Sequence, residues 1–312
     1  MKIWREISNF NARNPVITIG IFDGVHRGHI FLLEKLKKEA EKFDGETVVV
    51  SLWPHPRLVL NKNPDKLRYL TSIEEKIILL EKAGVDHLVI IPFTMEFSRL
   101  SSCEFIERYL VNNLKVKKLL VGFNHKFGKN REGDFHNLKT CADRFGFELE
   151  KLSPVKVNDE KLSSSIIRDL ILEGKLEKAN GFLGYDFFLR GKVVEGNKIG
   201  RQMGFPTANI QPDDEHKLIP KPGVYAVQVQ KDKSVYNGML NIGFRPTVNT
   251  GIRKKSIEVH LFDYKGDMYG AEVSILFRAF MREENKFDSL DELKEQLVMD
   301  KQKAIEILKD FN

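Results

Sequence analysis

The run Ile21-Phe22-Asp23-Gly24-Val25-His26-Arg27-Gly28-His29 follows a short apolar segment, Val16–Ile19, and leads directly into a helical pattern. In that pattern apolar residues recur at steps of three or four, at Ile30, Leu33, Leu36, Ala40 and Phe43. A strand, a glycine turn and a helix start make an anion site, because free backbone N–H groups and the positive end of the helix dipole meet there. His26 and His29 are expected on one side of the first helical turn, and Gly28 leaves the backbone open to a phosphate. The run therefore predicts a site for nucleotidyl transfer at the end of a strand.

Other interpretations of this segment are weaker. A single histidine at a helix start is usually a cap or a solvated residue, but the complete H-x-G-H pattern after a strand favours a phosphate site. A second glycine segment, Gly122 to Asn130, resembles a phosphate-binding P-loop. The P-loop is excluded because five residues rather than four separate its glycines, and because Asn130 stands where a serine or threonine would bind magnesium.

Composition limits the class of protein. The chain has 312 residues, of which 42% are hydrophobic, enough for two ordinary domains with apolar cores. It has no apolar span of membrane length and no secretory h-region, so no membrane partner is expected. The net charge of +6 comes from well-mixed charges, which predicts solvated surface rather than a nucleic-acid patch and suits polyanionic small substrates. Cys103 and Cys141 are isolated in the sequence, so we expect neither a disulfide nor zinc, and a reducing, cytoplasmic compartment.

The first part of the chain has the rhythm of an α/β protein. As far as about residue 172, β-type runs alternate with helical ones, which predicts a parallel sheet with helices on both faces. Two capping boxes, Thr71–Glu74 and Ser101–Glu104, mark helix starts in this part. The unusual segments each follow a strand, at the edge where such sheets bind ligands: Asp23–His29, Pro54–Arg57 and Gly122–Asn124.

Beyond about residue 185, strands and turns dominate, which predicts a small antiparallel β-barrel. The segment Asp263–Asp267 is expected to form a hairpin turn, and the Ser289–Glu292 capping box is expected to open a single C-terminal helix. We place the domain boundary in the glycine-punctuated stretch Gly174–Gly184, which gives domains of residues 1–182 and 183–312.

Three further groups in the first domain could bind substrate. The cluster Ser163-Ser164-Ser165 is expected to cap a helix that carries Arg168, a candidate clamp for the β- and γ-phosphates when it acts with the two histidines. On its own the cluster is equally a plain helix cap with a surface arginine. His55 lies between two prolines that restrict its backbone, and by itself it is a structural turn residue. Asn124 could contact a second substrate.

In the second domain, the stretch Gly191–Asn209 combines many glycines with polar residues. Glycines let a backbone wrap closely around phosphates, and Thr207 and Asn209 offer the hard oxygen atoms that Mg²⁺ prefers. The alternative is a long irregular loop of the barrel. Further on, Glu258 and His260 alternate with apolar residues and share one face of a strand. A carboxylate on the inner face of a small barrel is costly unless it is used, so Glu258 is the candidate base; the alternative is a salt-bridged surface residue.

Together these segments resemble the bifunctional riboflavin kinase/FMN adenylyltransferases, the prokaryotic FAD synthetases, along essentially the whole chain. The matching segments are Phe22–His29, Pro54–Arg57, Ser163–Arg168, Gly200–Asn209, Asn241–Thr247 and Glu258–Leu261. H-x-G-H alone marks only the wider nucleotidyltransferase superfamily, whereas the G-R-x-x-G-x-P-T-A-N run is far more specific.

The resemblance implies a nucleotidyltransferase-type α/β domain that joins FMN and ATP into FAD and pyrophosphate. It also implies a flavokinase-like antiparallel β-barrel with a C-terminal helix, which transfers the γ-phosphate of ATP to riboflavin. His26 and His29 are then expected to stabilise charge on the triphosphate, Arg168 to bind the leaving pyrophosphate, and Glu258 to remove a proton. ATP and phosphate contacts are expected at Phe22, Gly24, Gly28, Ser164, Ser165, Gly191, Gly200, Arg201, Gly204, Pro206, Thr207 and Asn209. Flavin contacts are expected at His55, Pro56, Asn124 and Arg245, and magnesium ligands at Thr207 and Asn209.

Two positions depart from the family's pattern. Asn124-His125 stands where the family commonly has Asp-Phe, and Ser165 stands where Thr is usual. Three other functions stay open on the sequence: a nucleotidyltransferase with another acceptor, a flavin-sensing module without turnover and, more remotely, a nucleic-acid binder. The expected partners are riboflavin, FMN and ATP with Mg²⁺, without nucleic acid or membrane, in a monomer or weak homo-oligomer.

Overall fold

A parallel sheet and a closed barrel occupy the two halves of the chain. This computed structural model describes residues 1–60, 67–123, 128, 135–153, 156–157, 160–196, 200, 203–246 and 253–311, and for residues 156–157, 160–161, 245–246 and 253–254 the backbone alone. Contacts within the chain divide it into a first unit, Met1–Ser163, and a second unit, Ser164–Asn312. In the described ranges no helix is both long enough and apolar enough to cross a membrane.

Six parallel strands form the sheet of the first unit. The strands are β1 (Lys2–Trp4), β2 (Val16–Ile19), β3 (Thr47–Trp53), β4 (His87–Pro92), β5 (Lys118–Val121) and β6 (Glu148–Lys151), and β7 (Lys156–Val157) and β8 (Glu160–Lys161) form a separate antiparallel pair. The helices are α1 (Arg27–Lys42), α2 (Pro56–Val59), α3 (Ile73–Lys82), α4 (Ser102–Phe105, continued by a π-helix Ile106–Asn113) and α5 (Phe135–Phe145), with a 3₁₀ turn at Phe97–Arg99. The order across the sheet is β1-β4-β3-β2-β5-β6.

The apolar sequence explains this sheet. Strand β2 and most of β3 are buried on both faces, a pattern typical of a parallel sheet that helices cover. The strand order reverses its direction at β2, whose two neighbours are β3 and β5. Ligands of such sheets bind at the carboxyl ends of the strands beside this reversal. The predicted α/β fold is confirmed, and the segment that begins at Ile21 follows the strand at the reversal.

One predicted capping box is confirmed in the first unit and the other is displaced by one residue. The Ser101–Glu104 box forms with both of its hydrogen bonds. The other box uses Ser72 and Glu75 rather than the predicted Thr71–Glu74 pair. The hydroxyl of Thr71 accepts a hydrogen bond from the loop after β2 instead, so this side chain belongs to the loop and not to the helix.

The prediction about the two cysteines is wrong. Cys103 and Cys141 form a disulfide, with their Cα atoms 6.3 Å apart. Cys103 lies in α4 and Cys141 in α5, and both helices pack into the same apolar cluster against the sheet. A separation of 38 residues hides this pairing in the sequence. Isolated cysteines therefore do not exclude a long-range bridge that the packing of two helices creates.

Six antiparallel strands close into the barrel of the second unit. The strands are β9 (Phe188–Val194), β10 (Ala208–Pro212), β11 (Gly223–Lys231), β12 (Ser234–Pro246), β13 (Arg253–Leu261) and β14 (Glu272–Arg282). The helices are α6 (Ser164–Leu172), α7 (Leu176–Leu183) and α8 (Leu290–Leu308), with a 3₁₀ turn at Lys309–Phe311. Around the barrel the order is β10-β13-β12-β11-β14-β9, and β9 pairs with β10. The predicted barrel with a C-terminal helix is confirmed. Ser289 caps that helix, but the predicted capping box is incomplete, because the Glu292 carboxylate accepts from the backbone N–H of Asp288 instead of Ser289.

Successive side chains of each barrel strand point alternately into the barrel and away from it. The set that fills the interior includes Tyr225, Leu240 and Val259, which lie opposite one another on neighbouring strands. The other face packs against α8 through an apolar cluster that includes Met239, Met281, Ala304 and Leu308. The helix therefore covers part of the outer surface of the barrel, and an outward-facing side chain has a different environment from an inward-facing one.

The segment Asp263–Asp267 does not form the predicted hairpin. It connects β13 to β14, which are not neighbours: β13 pairs with β10 and β12, whereas β14 pairs with β9 and β11. A tight hairpin joins β11 to β12 instead, where Asp232 has a positive φ of 52°. Turn-forming residues mark where a strand ends, but they do not determine which strand it pairs with.

Candidate active sites

His26 and His29 form the centre of the first candidate site. His26 is the N-cap of α1, and its carbonyl accepts from the backbone N–H of His29 at 2.7 Å. Its side chain makes no capping hydrogen bond. The two imidazole rings stack with their centroids 3.8 Å apart, as the spacing of three residues predicts, and the ring of Phe22 lies 5.0 Å from that of His29. The start of the helix therefore presents two rings, neither of which serves as a cap.

The backbone before His26 has an uncommon conformation. The φ angle is positive at Phe22 (51°), Gly24 (82°) and Val25 (33°). Glycine adopts such angles freely, but a β-branched residue such as Val25 does so only at a cost in conformational energy. Strain of this kind persists where the surrounding structure fixes the backbone, and it is frequent at functional sites.

Two polar side chains that the sequence analysis did not assign to the site fix this loop. The carboxylate of Asp23 accepts from the backbone N–H groups of Leu70 (2.7 Å) and Thr71 (3.2 Å). In return, the hydroxyl of Thr71 accepts from the backbone N–H of Gly24 at 3.1 Å. Asp23 lies in a glycine turn, where short polar side chains commonly form hydrogen bonds with the backbone. This pattern could have indicated the role of Asp23 from the sequence. The segment before α3 therefore holds the loop that presents the histidines.

Burial keeps both histidines neutral. It lowers the pKa of His26 from the usual 6.5 to about 4. The pKa of His29 is lowered well below 6.5, first by burial and then by the charges of His26 and Lys76. A neutral imidazole has one donor and one acceptor nitrogen. Within the described residues the Nδ1 atoms of both rings are buried without a hydrogen-bond partner, so each ring can offer a nitrogen to a bound group.

Gly28 leaves room for the imidazole ring of His26. A Cβ atom at this position would lie 3.2 Å from the ring of His26 and 3.2 Å from the side chain of Leu162. Both contacts would be tighter than ordinary van der Waals contact, so the ring would have to shift. The glycine between the two histidines therefore helps to set their stacked arrangement.

His55 and Pro56 follow β3, at the same edge of the sheet as the histidine loop. Pro56 begins the short helix α2, and the Nδ1 atom of His55 accepts from the backbone N–H of Arg57 at 3.1 Å. The ring of His55 stacks against Tyr69 with a centroid distance of 5.9 Å. His55 thus has a structural role in its turn, and its contact with flavin stays a prediction. Asn124 lies outside the described residues.

Arg168 and the predicted phosphate-binding serines lie on the first helix of the second unit. Ser164 is the first residue of α6, and Arg168 lies about one turn further along the same helix. Ser165 is exposed, whereas Arg168 is partly buried. The predicted contact of these side chains with the triphosphate stays a prediction.

Thr207, Asn209 and Glu258 come together on neighbouring strands of the barrel. Asn209 on β10 lies directly opposite Glu258 on β13 in the antiparallel register. The hydroxyl of Thr207, which immediately precedes β10, donates to Oε2 of Glu258 at 3.3 Å. Thr207 and Glu258 are 51 residues apart in the sequence. The barrel therefore assembles the predicted phosphate-binding and base residues into one second candidate site.

Glu258 and His260 share a face of β13, as predicted, but it is not the inner face. Ile257 and Val259 are fully buried in the barrel interior, and Met239, which lies opposite His260, packs towards α8. Because side chains alternate along a strand, Glu258 lies on the outer face, where it is partly buried. The prediction of an inward carboxylate is wrong, because the apolar residues of the strand occupy the interior.

His260 positions the segment that carries Thr207. Its Nδ1 atom lies 2.8 Å from the carbonyl oxygen of Pro206 and donates to it. The pKa of His260 is lowered, mainly by burial and further by the charge of Lys301, while the Pro206 carbonyl and Asp263 oppose the shift. A neutral imidazole is sufficient for this hydrogen bond, so His260 acts here as a structural residue.

Glycine is required at two positions around Asn209. A Cβ atom at Gly196 would overlap the side-chain Nδ2 atom of Asn209. A Cβ atom at Gly191, within β9, would lie 2.5 Å from the carbonyl oxygen of Gln211 on the paired strand. Gly196 therefore allows the loop to pass directly against the amide of Asn209. Gly191 allows close pairing of two strands, and its predicted contact with ATP stays a prediction.

A tight turn precedes Thr207. The carbonyl oxygen of Gly200 accepts from the backbone N–H groups of Met203 (3.2 Å) and Phe205 (2.8 Å), and Gly204 has a positive φ of 82°. Arg201 lies outside the described residues, as does the side chain of Arg245. The two glycines thus shape the turn that leads into Pro206 and Thr207.

The sequence did not assign a role to Asn241, which lies directly opposite Glu258 on β12. Its Nδ2 atom donates to Oε1 of Glu284 at 3.2 Å. Glu258 is therefore flanked by Asn209 on one neighbouring strand and by Asn241 on the other. The sequence did indicate the segment Asn241–Thr247, because it matches the family pattern. Its residue types do not show whether Asn241 belongs to the site or only to the barrel.

Oxygen atoms, rather than a cluster of acidic side chains, are available for a metal ion. Among the described residues no group of three His, Cys, Asp or Glu side chains could hold an ion. Thr207, Asn209 and Glu258 offer a hydroxyl, an amide and a carboxylate oxygen. This donor set fits Mg²⁺, which is commonly held by one or two protein groups together with substrate phosphates and water.

Comparison with known proteins gives the same two-part organisation. Residues 8–166 match the FAD synthetase family, and residues 183–308 match the riboflavin kinase family. The bifunctional riboflavin kinase/FMN adenylyltransferase of Listeria monocytogenes is 39% identical over 93% of this chain and 91% of its own length. The corresponding protein of Escherichia coli K12 is 38% identical over 98% of this chain and 97% of its own length. A crystal structure from Streptococcus pneumoniae, described as a macrolide-efflux protein, superposes with a TM-score of 0.86 at 31% identity over 96% of this chain and 97% of that one.

The fold and the matches define a two-domain transferase with an FAD synthetase unit and a riboflavin kinase barrel. Both matches lie on one chain, and the relatives cover nearly its whole length. The chain belongs to the bifunctional riboflavin kinase/FMN adenylyltransferase family.

Proposed function

We propose that the chain makes FAD from riboflavin at two separate sites, the histidine site of the first unit and the Thr207–Glu258 site of the barrel. As a member of its family the chain is both a riboflavin kinase and an FMN adenylyltransferase. The observation that carries the division is the chemistry of the two sites. One presents neutral imidazoles, and the other presents a carboxylate that accepts from a hydroxyl.

In adenylyl transfer, a phosphate oxygen of FMN attacks the α-phosphate of ATP and pyrophosphate leaves. The nucleophile is already an anion, so the site has to position the reactants and stabilise charge rather than remove a proton. His26 and His29 would donate from their ring nitrogens to phosphate oxygens, and the N–H groups at the start of α1 would bind the same charge. Arg168 of α6, with Ser164 and Ser165, would bind the leaving pyrophosphate.

The remaining residues of the first reaction would bind the two substrates without taking part in bond exchange. Phe22, Gly24 and Gly28 would line the ATP site, since the ring of Phe22 lies against that of His29 and Gly28 lies beside the ring of His26. His55 and Pro56 would contact the flavin from the adjacent strand end, together with Asn124.

In phosphoryl transfer, the 5′-hydroxyl of riboflavin attacks the γ-phosphate of ATP and ADP leaves, and a proton must also leave the attacking oxygen. Glu258 would accept that proton, because its carboxylate lies on the accessible outer face of β13 and is oriented by the hydroxyl of Thr207. The ATP phosphates would be bound by the glycine loop before β10, at Gly200, Arg201, Gly204 and Pro206, and by Gly191 of β9. Arg245 would contact the flavin.

Mg²⁺ bound with ATP would neutralise part of the phosphate charge in the barrel site. Thr207 and Asn209 would hold it through their side-chain oxygens. Gly196 would assist indirectly, since any larger residue there would displace the amide of Asn209.

We further propose a functional boundary between residues 182 and 183, a cytoplasmic location, and a monomer or weak homo-oligomer without a nucleic-acid partner. The riboflavin kinase match begins at residue 183, which supports the boundary, although contacts group α6 and α7 with the barrel. The cytoplasmic location is supported by the use of ATP in both reactions. The Cys103–Cys141 disulfide removes the argument from unpaired cysteines.

A product assay with purified protein tests the proposed function. Riboflavin with Mg·ATP is expected to give FMN and then FAD, and FMN with Mg·ATP is expected to give FAD and pyrophosphate. FAD from FMN without any FMN from riboflavin would contradict the kinase half. If FMN is not adenylylated while another phosphate-bearing acceptor or CTP reacts, the adenylyltransferase half is wrong.

A further inference from the structure

Lys76 is a buried cation in the first unit that the proposed mechanism does not use. In the sequence it follows Glu74 and Glu75 and resembles an ordinary charged residue on a helix surface. In the structure it lies in the first turn of α3 and is only 1% exposed. Burial of an ammonium group is unfavourable unless polar or charged neighbours compensate for the lost water, and the positive end of the helix dipole adds to the cost. A side chain in this position therefore needs a compensating environment.

The environment of Lys76 connects it to the histidine loop. Its Nζ atom donates to the hydroxyl of Ser51 at 3.2 Å and lies 5.3 Å from the centre of the Trp53 ring. The hydroxyl of Ser51 in turn donates to the carbonyl of Ile21 at 3.4 Å. An ammonium group has three donors, and among the described residues one of them has an acceptor, the hydroxyl of Ser51. The ammonium thus lies at the carboxyl end of β3, and two hydrogen bonds through the hydroxyl of Ser51 connect it to the segment that leads into the histidine loop.

The charged groups around Lys76 come from the loop and from α1. Asp23, in the loop, attracts the ammonium of Lys76. The charge of Lys76 also disfavours the protonated form of His29, in α1, whose ring stacks with that of His26. Strand β3 contributes Ser51 and Trp53, which do not titrate in the relevant range. On α3 itself, Glu75 is engaged with the backbone of the helix N-cap.

We propose that Lys76 is a positioning residue for adenylyl transfer, which places a fixed positive charge against the histidine loop where the triphosphate of ATP binds. The proposal rests on the proposed role of His26 and His29. In this role the ammonium would act without touching the nucleotide. It acts through the loop, which it holds by way of Ser51 and Asp23, and through its field, which is strong because the site is shielded from water.

A purely structural role predicts a different outcome from a role of charge. Methionine has nearly the length and volume of lysine, so it fills the same buried space without the charge. If Lys76 only fills space, Lys76→Met keeps FAD formation. If its charge is used, Lys76→Met loses FAD formation while the fold is retained, and Lys76→Arg, which keeps the charge, retains more activity than Lys76→Met.

The decisive experiment measures FAD formation from FMN, and FMN formation from riboflavin, in Lys76→Met, Lys76→Arg and the matched control Lys82→Met, an exposed lysine on the same helix. We expect Lys76→Met to lower kcat/KM for ATP in FAD formation by about tenfold to a hundredfold, less than the loss of a direct donor, and to leave FMN formation unchanged. Wild-type FAD formation in Lys76→Met would overturn the proposal.

The pH profile separates charge from packing. Burial lowers the pKa of Lys76 to about 8, against the opposing attraction of Asp23, so the ammonium is present below that pH and is lost above it. Because kcat/KM reports the free enzyme, FAD formation is expected to fall above about pH 8, and Lys76→Met is expected to lack this alkaline limb. An identical limb in both proteins would contradict the proposal. If Lys76→Met fails to fold, the wild-type profile tests the proposal by itself, because a wild-type protein without the limb would overturn it.

His26→Ala distinguishes failure of this inference from failure of the proposed site. If His26→Ala retains full FAD formation, the histidine site itself is wrong. If His26→Ala loses FAD formation and Lys76→Met does not, only the role of Lys76 is wrong.

Discussion

The first unit presents two stacked imidazole rings at the start of a helix, whereas the second unit presents a carboxylate on the outer face of a barrel strand. His26 and His29 are held neutral by burial, and the nearby Asp23 is engaged with backbone N–H groups. Glu258 accepts from the hydroxyl of Thr207 and lies between two asparagines. The difference follows the nucleophile: an FMN phosphate carries no proton that must be removed, whereas the riboflavin hydroxyl does. In the proposed function, each site thus offers the groups that its own reaction would need.

The sharpest test of this contrast removes the carboxylate. Glu258→Gln keeps the shape of the side chain and its hydrogen bond with Thr207 but cannot accept a proton, so FMN formation is expected to fall by about two to four orders of magnitude. Adenylylation of externally supplied FMN should be unchanged, as measured by separation of the flavin products. The exposed Glu215→Gln is the matched control. A near-normal kinase rate in Glu258→Gln would remove Glu258 as the base.

The reciprocal change removes one imidazole. His26→Ala is expected to lower FAD formation by about two to three orders of magnitude, because a donor to the triphosphate is lost. FMN formation from riboflavin should be unchanged. His136→Ala, at an exposed position of α5, should retain both activities. If His26→Ala lowers both activities together, the assignment of two separate sites is wrong.

The neutral histidines also predict that acid destabilises the first unit. In the unfolded chain His26 is protonated near pH 6.5, whereas in the folded unit it is protonated only near pH 4. The unfolded state is therefore favoured as the pH falls between these values, by up to about 3 kcal/mol from this residue. Both tryptophans of the chain, Trp4 and Trp53, lie in the first unit, so their fluorescence during denaturation reports this unit. His26→Ala should show a weaker dependence on pH, and an equal dependence would contradict the account.

Glycine replacements give the smallest effects and compare the geometry of the two sites. Gly196→Ala would displace the amide of Asn209, and we expect FMN formation to fall about tenfold. In Gly28→Ala the new Cβ atom would lie 3.2 Å from the ring of His26, a milder contact, so FAD formation should fall by less than about tenfold. Gly181→Ala, in α7, meets no neighbouring atom within 4 Å and should change neither rate. Loss of FAD formation in Gly196→Ala, or of FMN formation in Gly28→Ala, would contradict the assignment of each glycine to its site.

Local patterns in the sequence predicted much of this arrangement. The strand, glycine turn and helix around His26 depend on neighbouring residues, and the structure places the two rings together as their spacing indicates. The alternation of strands and helices likewise gave the parallel sheet, because burial on both faces leaves a continuous apolar run. Thr207, Asn209 and Glu258 were each predicted as site residues from chemistry that is visible in short segments, and the structure places them together.

Features that depend on distant packing were not visible. Nothing near Cys103 indicates Cys141, and nothing near Asp263 shows that β13 and β14 are not neighbours. The alternation around Glu258 separates two faces but does not say which one is inside, and the apolar residues decide that in the folded barrel. Lys76 is the clearest case, since its burial depends on Ser51, Trp53 and Asp23, which belong to other elements.

One assay tests the central claim of two independent sites most directly. His26→Ala, Glu258→Gln and an equimolar mixture of the two proteins are each given riboflavin and Mg·ATP, and the flavin products are followed over time. The account predicts that His26→Ala stops at FMN, that Glu258→Gln leaves riboflavin unchanged, and that the mixture makes FAD because FMN from one protein is adenylylated by the other. Failure of the mixture to make FAD, although Glu258→Gln adenylylates supplied FMN and His26→Ala releases FMN, would contradict it.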